Sequence, residues 1–156
     1  MGQSGRDWYG PTMLLGTHEH TLDDKNRLTL PARFRQVFGD GIVVTRGMDG
    51  CLFAYTREDW EKLVADRLAT LDPLSLEGRR MQRHFFSAAT EAEPDKQGRV
   101  GLPAALLEHA KLGRDVVVAG VHDHLEIWDR DAWRRELSEV EGSAEDVAER
   151  LAAKRD

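Results

Sequence analysis

The chain has 156 residues, of which 40% are apolar and 32% are charged, and its formal net charge is −6. This length allows one domain or two small domains with a sizeable core, and the composition is that of an ordinary soluble protein. The negative charge excludes a protein that is basic over its whole surface, so a nucleic-acid binder of this composition must concentrate its positive charge on one face.

Cysteine content and hydropathy restrict the compartment. Cys51 is the only cysteine, which excludes an internal disulfide and favours a reducing cytoplasm. No apolar run approaches the length of a membrane helix and no segment resembles a signal peptide, so we expect a cytoplasmic protein with no membrane partner. The polar, glycine-rich beginning predicts a flexible N-terminal extension over residues 1–14.

A first structural unit is predicted over residues 15–61. The alternating stretch THEHTLD predicts a strand, DDKNR a tight turn and RLTLP a returning strand. PARFRQVF predicts a short helix with Pro31 at its first helical position. Two strands, IVVT and CLFAY, surround the turn RGMDG, and Thr56 is expected to cap the helix TREDWEKLVADRL.

The rest of the chain is predicted as a linker, a second unit and a tail. In the linker, residues 62–86, DPLSLEGRRMQRHFF predicts a helix that begins through Asp72 and Pro73. The second unit, residues 87–134, contains SAATEAE, RVGLP, PAALLEHA, DVVVAG, HLEIW and DRDAWRREL in the order of the first unit. The tail, residues 135–156, predicts a polar helix, SAEDVAERLAAKR, capped by Ser143.

The two units are an internal repeat. A shift of 72 residues aligns five identical positions, Asp23 with Asp95, Arg27 with Arg99, Leu30 with Leu102, Pro31 with Pro103 and Ala32 with Ala104. A shift of 73 then aligns the later strands and Trp60 with Trp133, which we expect to be core residues. Each unit has about four short strands, too few to close a barrel alone. The sequence therefore predicts an α+β fold, mainly β, in which two units form a pseudo-symmetric β-barrel with short helices.

The repeated acid, arginine and proline predict a turn. Asp23 and Asp95 are expected to accept hydrogen bonds from turn N–H groups, and Asp23 to pair with Arg27 across the neck of the turn. Before the arginine stand Asn26 in one unit and Gly98 in the other, the residue types that most easily adopt a positive φ. Asp23, Asp95 and Gly98 are therefore predicted to be turn-forming residues.

Positive charge favours the first unit as a DNA contact. Residues 25–35 contain four basic residues and no acid, whereas the matching residues 97–107 contain only Arg99. A hairpin that carries lysine, asparagine and arginine can enter a major groove, where arginine reads guanine. The predicted DNA-binding residues are Lys25, Asn26, Arg27, Arg33 and Arg35. Arg99 is either a secondary DNA contact or a turn residue.

The two D-x-x-x-R copies, each followed by L-x-L-P or V-x-L-P, resemble the MraZ family, from Met13 to about Leu137. These are tandem members of the AbrB-like, swapped-hairpin regulators. The resemblance implies two tandem AbrB-like units and a cytoplasmic, nucleoid-associated regulator that forms homo-oligomeric rings. It also implies binding to short direct repeats in double-stranded DNA upstream of the division and cell-wall gene cluster that contains its own gene. Asn26 departs from the usual glycine but tolerates the same backbone conformation.

Two other function classes remain open from the residues alone. One is an antitoxin-like AbrB-fold protein that masks a partner enzyme, although such proteins usually have one copy and a disordered tail. The other is a metal-dependent enzyme built on the stretch His122, Asp123 and His124. His18 and His20, like His122 and His124, form an H-x-H pair that would share a strand face. No closed ligand set, nucleophile–base pair or phosphate loop supports it, so we expect no enzyme, cofactor, metal or small-molecule substrate. Arg79, Arg80 and Arg83 are expected to pair with acids across a subunit contact rather than to touch DNA.

Overall fold

Eight strands and five α-helices follow one another in the computed structural model, which describes residues 13–155. The strands are β1 (Leu14–Thr21), β2 (Arg27–Thr29), β3 (Ile42–Arg46), β4 (Leu52–Tyr55), β5 (Thr90–Ala92), β6 (Arg99–Gly101), β7 (Asp115–His122) and β8 (Leu125–Asp129). The helices are α1 (Ala32–Arg35), α2 (Arg57–Leu63), α3 (Leu76–Phe86), α4 (Ala104–Ala110) and α5 (Arg130–Arg155), and a π-helical turn, Val64–Leu68, extends α2.

The predicted extension lies mostly outside the described residues, which begin at Met13. At its end the prediction is wrong, because Leu14 is the first residue of β1 and is only 1% exposed. Its side chain belongs to the main core cluster. The first strand is therefore anchored in the core from its first residue.

The two units exchange their first strands. Six strands form one antiparallel sheet in the order β1-β7-β8-β4-β3-β5, and β2 pairs with β6 in a separate two-stranded ladder. Thus β1 of the first unit pairs with β7 of the second, and β5 of the second pairs with β3 of the first. The mixed, mainly β fold built from two units is confirmed. The hydrogen-bonded order of the described strands ends on β1 and β5, so closure into a barrel stays a prediction.

A pseudo-two-fold axis relates the units through two strand pairings. In the β2–β6 ladder Arg27 pairs with Gly101, and Arg99 pairs with Thr29. Each arginine thus pairs with the residue that lies two positions after the arginine of the other unit. The β4–β8 pairing has the same reciprocity about Phe53 and Glu126. Since both ladders are antiparallel between equivalent strands, neither unit has a complete sheet without the other.

The core is shared by both units. Leu28 and Leu30 of the first unit are 1% and 0% exposed, and Val100 and Leu102 of the second are 2% and 5% exposed. All four belong to one buried cluster that also contains residues of α1, α4 and the large sheet. Burial of each such side chain contributes about 1.5–3 kcal/mol relative to exposure. Separation of the units would expose this cluster.

Both short helices after the ladder begin one residue later than predicted. Pro31 and Pro103 are N-cap residues with extended backbone, at ψ 139° and 152°, rather than first helical residues. Their carbonyl groups accept the first N–H of each turn, from Phe34 at 2.8 Å and from Leu106 at 3.0 Å. Each proline thus ends the strand and leaves its carbonyl free to start the helix.

The linker helix also begins later than the Asp72–Pro73 pair. Ser75 is its N-cap, because its Oγ accepts the N–H of Gly78 at 2.9 Å. Asp72 instead closes a preceding turn by accepting the backbone N–H two residues on at 2.9 Å. A Cβ on Gly78 would lie 2.2 Å from the carbonyl oxygen of Asp72, so only glycine fits where this turn meets the helix.

The tail is one helix rather than two. α5 runs unbroken from Arg130, and the predicted cap at Ser143 is wrong because its Oγ donates to the carbonyl of Glu139 at 2.6 Å inside the helix. The cap of this helix is instead Asp129, whose Oδ2 accepts the N–H of Ala132 at 3.4 Å. Gly142 and Ser143 lower helix propensity here but do not end the helix.

The second histidine pair does not share a strand face. His122 ends β7 with a positive φ of 71°, and the following turn stacks the ring of His124 on Tyr55 at a centroid distance of 5.3 Å. Its two ring nitrogens lie 2.8 Å from Asp123 and 3.3 Å from Glu126. Burial lowers the pKa of His124, but the hydrogen bonds to these two carboxylates and their negative charges together outweigh burial and raise it.

Trp60 and Trp133 are half-buried, so the prediction that both are core residues is wrong for the single chain. The ring of Trp60 lies 5.9 Å from that of Phe86, and the ring of Trp133 lies 5.7 Å from that of Trp128. Trp133 lies outside the buried Trp128, whereas Trp60 is covered in part by the exposed Phe86.

We predict that Gly78→Ala lowers the melting temperature although alanine favours helices, because the added Cβ meets backbone at 2.2 Å. Overpacking of this kind costs about 1–3 kcal/mol. Gly142→Ala is the matched control, since nothing lies within 4 Å of its Cβ position. Thermal unfolding followed by circular dichroism should show a loss for the first variant and none for the second. Equal melting temperatures for the two variants would contradict the assigned packing.

Candidate nucleic-acid interface

The first turn is built around one carboxylate. Asp23 Oδ1 accepts the backbone N–H groups of Lys25 at 2.9 Å and Arg27 at 2.8 Å. Asp23 Oδ2 pairs with Nε of Arg27 at 2.7 Å. Asn26, between them, has a φ of 57°, as its residue type predicts. The predicted acceptor, the left-handed residue and the pairing across the neck are all confirmed.

The second turn repeats this geometry. Asp95 Oδ1 accepts the N–H groups of Gln97 and Arg99, each at 2.9 Å, and its Oδ2 pairs with Nε of Arg99 at 2.7 Å. Gly98 has a φ of 78°. The backbone N–H of the arginine is the largest influence that lowers the pKa of each aspartate, with the arginine side chain also lowering it. Two turns that differ in sequence thus have one hydrogen-bond pattern.

The β2–β6 ladder joins the two turns rigidly. The N–H of Leu30 donates to the carbonyl of Gly98 at 2.8 Å, and the N–H of Leu102 donates to the carbonyl of Asn26 at 3.1 Å. Each turn therefore binds the strand end of the other unit. Since the ladder is antiparallel, the turns lie at its opposite ends, roughly 13 Å apart along the strand direction.

The first turn presents polar side chains to solvent. Lys25 and Asn26 are exposed, and the side chain of Arg27 is 29% exposed. Within residues 13–155, no hydrogen bond occupies the terminal nitrogens of Arg27. In the second turn Nη2 of Arg99 donates to Oε1 of Gln97 at 3.3 Å. The two arginines are equivalent in backbone position but differ in what their guanidinium ends are free to bind.

Arg35 lies at the second turn, not with the first. A Cβ on Gly98 would be 2.7 Å from Nε of Arg35, so the arginine crosses the space that a side chain at position 98 would fill. The same Nε donates to the carbonyl of Leu30 at 3.0 Å. The antiparallel β2–β6 ladder, which brings Leu30 to Gly98, therefore places a first-unit charge on the second-unit turn.

Arg33 lies apart from both turns. Its guanidinium carbon is 5.5 Å from the centre of the Phe34 ring, and its Nη1 would be 3.4 Å from a Cβ on Gly16 of β1. From the sequence, five residues were predicted to bind DNA together. The structure brings together Lys25, Asn26 and Arg27 and separates Arg33 and Arg35 from them.

Charge is consequently distributed over both ends of the ladder. The first turn, residues 23–27, contains two acids and two basic residues, and its Asp24 contacts Arg114 at 3.4 Å. The second turn, residues 95–99, contains one acid and two basic residues, Lys96 and Arg99, to which Arg35 is added. Lys96 was not predicted as a site residue. The repeat aligns Lys96 with Asp24, and this replacement of an acid by a base makes the second turn more positive than the first.

The first histidine pair, His18 and His20, lies on β1 near Phe34 and Arg35. The ring of His18 packs edge-on against Phe34 at 5.3 Å. The pKa of His20 is lowered, first by burial and then by the charges of His18 and Arg35.

Among residues 13–155 there is no group of three potential ligands placed to hold a metal ion. The helices of that part of the chain include none long and apolar enough to span a membrane.

Comparisons with known proteins agree with the two-unit architecture. A family model described as MraZ protein, antitoxin-like, matches residues 13–81 and again residues 85–155. The chain is 46% identical over 139 residues to the Transcriptional regulator MraZ of Ligilactobacillus salivarius, which covers 89% of this chain and 96% of the relative. It is 50% identical over 121 residues to the protein of the same name from Limosilactobacillus fermentum, with 78% and 84% covered. The corresponding protein of Heliobacterium modesticaldum is 45% identical over 139 residues, with 89% and 96% covered.

We predict that Asp23→Ala lowers the melting temperature at neutral pH, and Asp23→Asn lowers it less, because asparagine keeps one acceptor oxygen for the turn. Asp24→Ala is the matched control, since this neighbouring acid is 94% exposed. Thermal unfolding of the three variants is the measurement. If Asp23→Ala keeps its stability but loses all DNA binding, the turn-forming role of Asp23 is wrong.

The lowered pKa of Asp23 predicts that its contribution to stability depends on pH. Because the pKa of Asp23 is lower in the folded chain, its stabilising contribution is fully present above the ordinary carboxyl pKa of about 3.9 and is lost as pH falls through the folded value. The difference in melting temperature between wild type and Asp23→Ala should therefore be constant near neutrality and shrink below about pH 4. A difference that grows toward acid pH would contradict the assigned interaction.

Proposed function

The chain belongs to the MraZ family, and from this membership we propose that it is a transcriptional regulator that binds double-stranded DNA through its two D-x-x-x-R turns. The observation that carries the proposal is the rigid pair of turns, which display cationic and amide side chains at both ends of one ladder. Rigid presentation lowers the entropic cost of placing side chains against base edges. No enzyme activity is proposed.

The first turn is assigned to base reading. Asp23 holds Nε of Arg27, and within residues 13–155 no hydrogen bond occupies its two terminal nitrogens, which are therefore available as a pair. A guanidinium end of this kind matches the O6 and N7 acceptors of guanine in the major groove. The exposed amide of Asn26 can pair with adenine in the same way. Lys25 supplies a point charge for a neighbouring phosphate.

The second turn is assigned to holding the DNA backbone. Gly98 offers no side chain to a base, and Gln97 already engages one terminal nitrogen of Arg99. Lys96, Arg99 and Arg35 nevertheless make this end positive. Contacts to phosphates fix position and orientation but carry little sequence information. Arg33, beside Phe34, is assigned to the same class of backbone contact.

The target and assembly proposals follow from the resemblance to the MraZ family. We propose that the chain acts in the cytoplasm at the nucleoid, on short direct repeats upstream of the division and cell-wall gene cluster that contains its own gene. A homo-oligomeric ring would present several first turns to successive repeats. Simultaneous binding multiplies the affinity of each weak contact through effective concentration. The predicted division into two units, with a linker and a tail, is part of this proposal, except that the first unit begins with β1 at Leu14.

The second candidate is an antitoxin-like interaction protein that masks a partner enzyme, which the description of the family model favours. In that case the exposed polar residues of the turns would not contact DNA bases. Duplex DNA from the region upstream of the gene discriminates the two functions. A sequence-dependent complex supports the regulator, and a failure to bind this or any other duplex supports the antitoxin-like protein.

We predict that Arg27→Ala weakens binding to the upstream DNA by about 1–3 kcal/mol per engaged site and removes sequence preference, because it deletes a base contact. Arg99→Ala should weaken binding less and leave the preference intact. Arg67→Ala, an exposed arginine outside both turns, is the control for loss of one positive charge. Fluorescence anisotropy against upstream and scrambled duplexes measures both quantities, after light scattering has shown that each variant assembles like wild type.

A further variant separates charge from recognition. Lys25→Ala should lower the affinity for both duplexes equally and reduce the salt slope of binding by about one, if Lys25 contacts one phosphate. Equal losses for Arg27→Ala and Arg99→Ala in intact assemblies would contradict the assignment of reading to the first turn and would place both turns on bases.

A further inference from the structure

The C-terminal helix extends beyond the body of the chain. α5 has 26 residues, a length of about 39 Å, and its first turn packs on the sheet through Trp133 and Trp128. Farther along the helix Leu137, Val140, Val147 and Leu151 are exposed by 37%, 50%, 37% and 58%. Apolar side chains thus continue past the point where the helix leaves its own sheet.

These residues form one stripe. Leu137, Val140, Ala144, Val147 and Leu151 are spaced by alternating intervals of three and four residues, the pattern of a helix that packs against another helix; we call them the tail stripe. Isolated helices depend on packing more than on propensity, and Gly142 and Ser143 weaken propensity at the centre of this one. The tail stripe therefore calls for a partner surface that its own sheet does not supply.

The charge of the helix restricts the partner. Residues 136–149 contain six acids and no basic residue. By helical spacing, Glu136 and Glu141 flank the tail stripe on its two sides. Two copies of α5 packed on each other would bring two such segments together, and like charges at close range are unfavourable. The helix fits an apolar surface with positive charge at its borders.

The chain carries such a surface on α3. Opposite the buried Gly78 and Phe85, the outer side of α3 contains five residues that we call the arginine face: Leu76, Arg79, Arg80, Arg83 and Phe86. Leu76 is 47% exposed and Phe86 is 41% exposed. No salt bridge among residues 13–155 includes any of the three arginines, although Arg79 donates to the carbonyl of Pro73 at 3.0 Å. Arginine and aromatic residues are both enriched at protein interfaces.

We propose that the tail stripe of one copy docks on the arginine face of a second copy, with Glu136 and Glu141 beside Arg80 and Arg83. The contact is heterologous, because two different surfaces meet, and contacts of this kind close into rings when their rotation allows. The inference rests on the proposed oligomeric assembly and specifies its interface. It also gives half-buried Trp60, which packs against Phe86, a place at the border of the contact.

Charge reversal of the full chain tests the contact. Arg80→Glu with Arg83→Glu, and separately Glu136→Lys with Glu141→Lys, should each raise the protein concentration needed for assembly by at least about tenfold. Glu145→Lys with Glu149→Lys, on the other side of α5, is the matched control and should assemble like wild type. Light scattering gives the mass, and circular dichroism confirms that each variant is folded.

Rescue distinguishes the interface from general damage. The quadruple variant, with both reversals in one chain, should regain the wild-type mass. A mixture of the two double variants should also assemble, because each reversed surface then meets its complement on the other variant. Wild-type mass for both double variants, or no recovery in the quadruple variant, overturns the proposal. Loss of DNA binding by Arg80→Glu with Arg83→Glu at unchanged mass also overturns it, because the arginine face would then bind DNA. Failure of the DNA proposal would appear differently, as unaltered binding by Arg27→Ala in an intact assembly.

Discussion

The reciprocal pair of hydrogen bonds between Leu30 and Gly98 and between Leu102 and Asn26 is the constraint on which the rest of the structure depends. Each bond joins the turn of one unit to the strand end of the other. The apolar side chains of the same short ladder are buried in the shared core. Because the ladder crosses the pseudo-two-fold axis, the position of each turn is determined by the opposite unit. Two exposed turns can therefore be held at a fixed separation on a chain of this size.

Within each turn one aspartate has two functions. One carboxylate oxygen accepts two backbone N–H groups and sets the backbone, and the other orients the arginine through Nε. The arginine is thereby restricted before it meets a ligand, which reduces the entropy lost on binding. The same turn can serve as a structural corner or as a DNA contact, depending on the residues next to the arginine. Asn26 and Lys25 in the first turn, against Gly98 and Gln97 in the second, are the difference that the proposed division of roles requires.

The repeat made the local structure predictable. Asparagine and glycine at the matching positions 26 and 98 indicated a positive φ, and Thr56 was recognisable as a helix cap. Interactions between units could not be predicted in the same way. Arg35 follows Arg27 by eight residues, yet it lies on Gly98 because the antiparallel pairing of β2 with β6 brings the end of β2 to the second turn. Ser143 has the residue type of a cap, but its position inside a long helix is decided by the continuous hydrogen bonding around it.

The central claim is that the first turn reads bases while the second turn and Arg35 hold the DNA backbone. A crystal structure of the assembled protein with duplex DNA from the region upstream of its own gene tests this claim most directly. The account predicts the terminal nitrogens of Arg27 and the amide of Asn26 within hydrogen-bond distance of base edges in the major groove, with Lys96, Arg99 and Arg35 at phosphates. Arg99 on a base edge, or a first turn outside the groove, would contradict it.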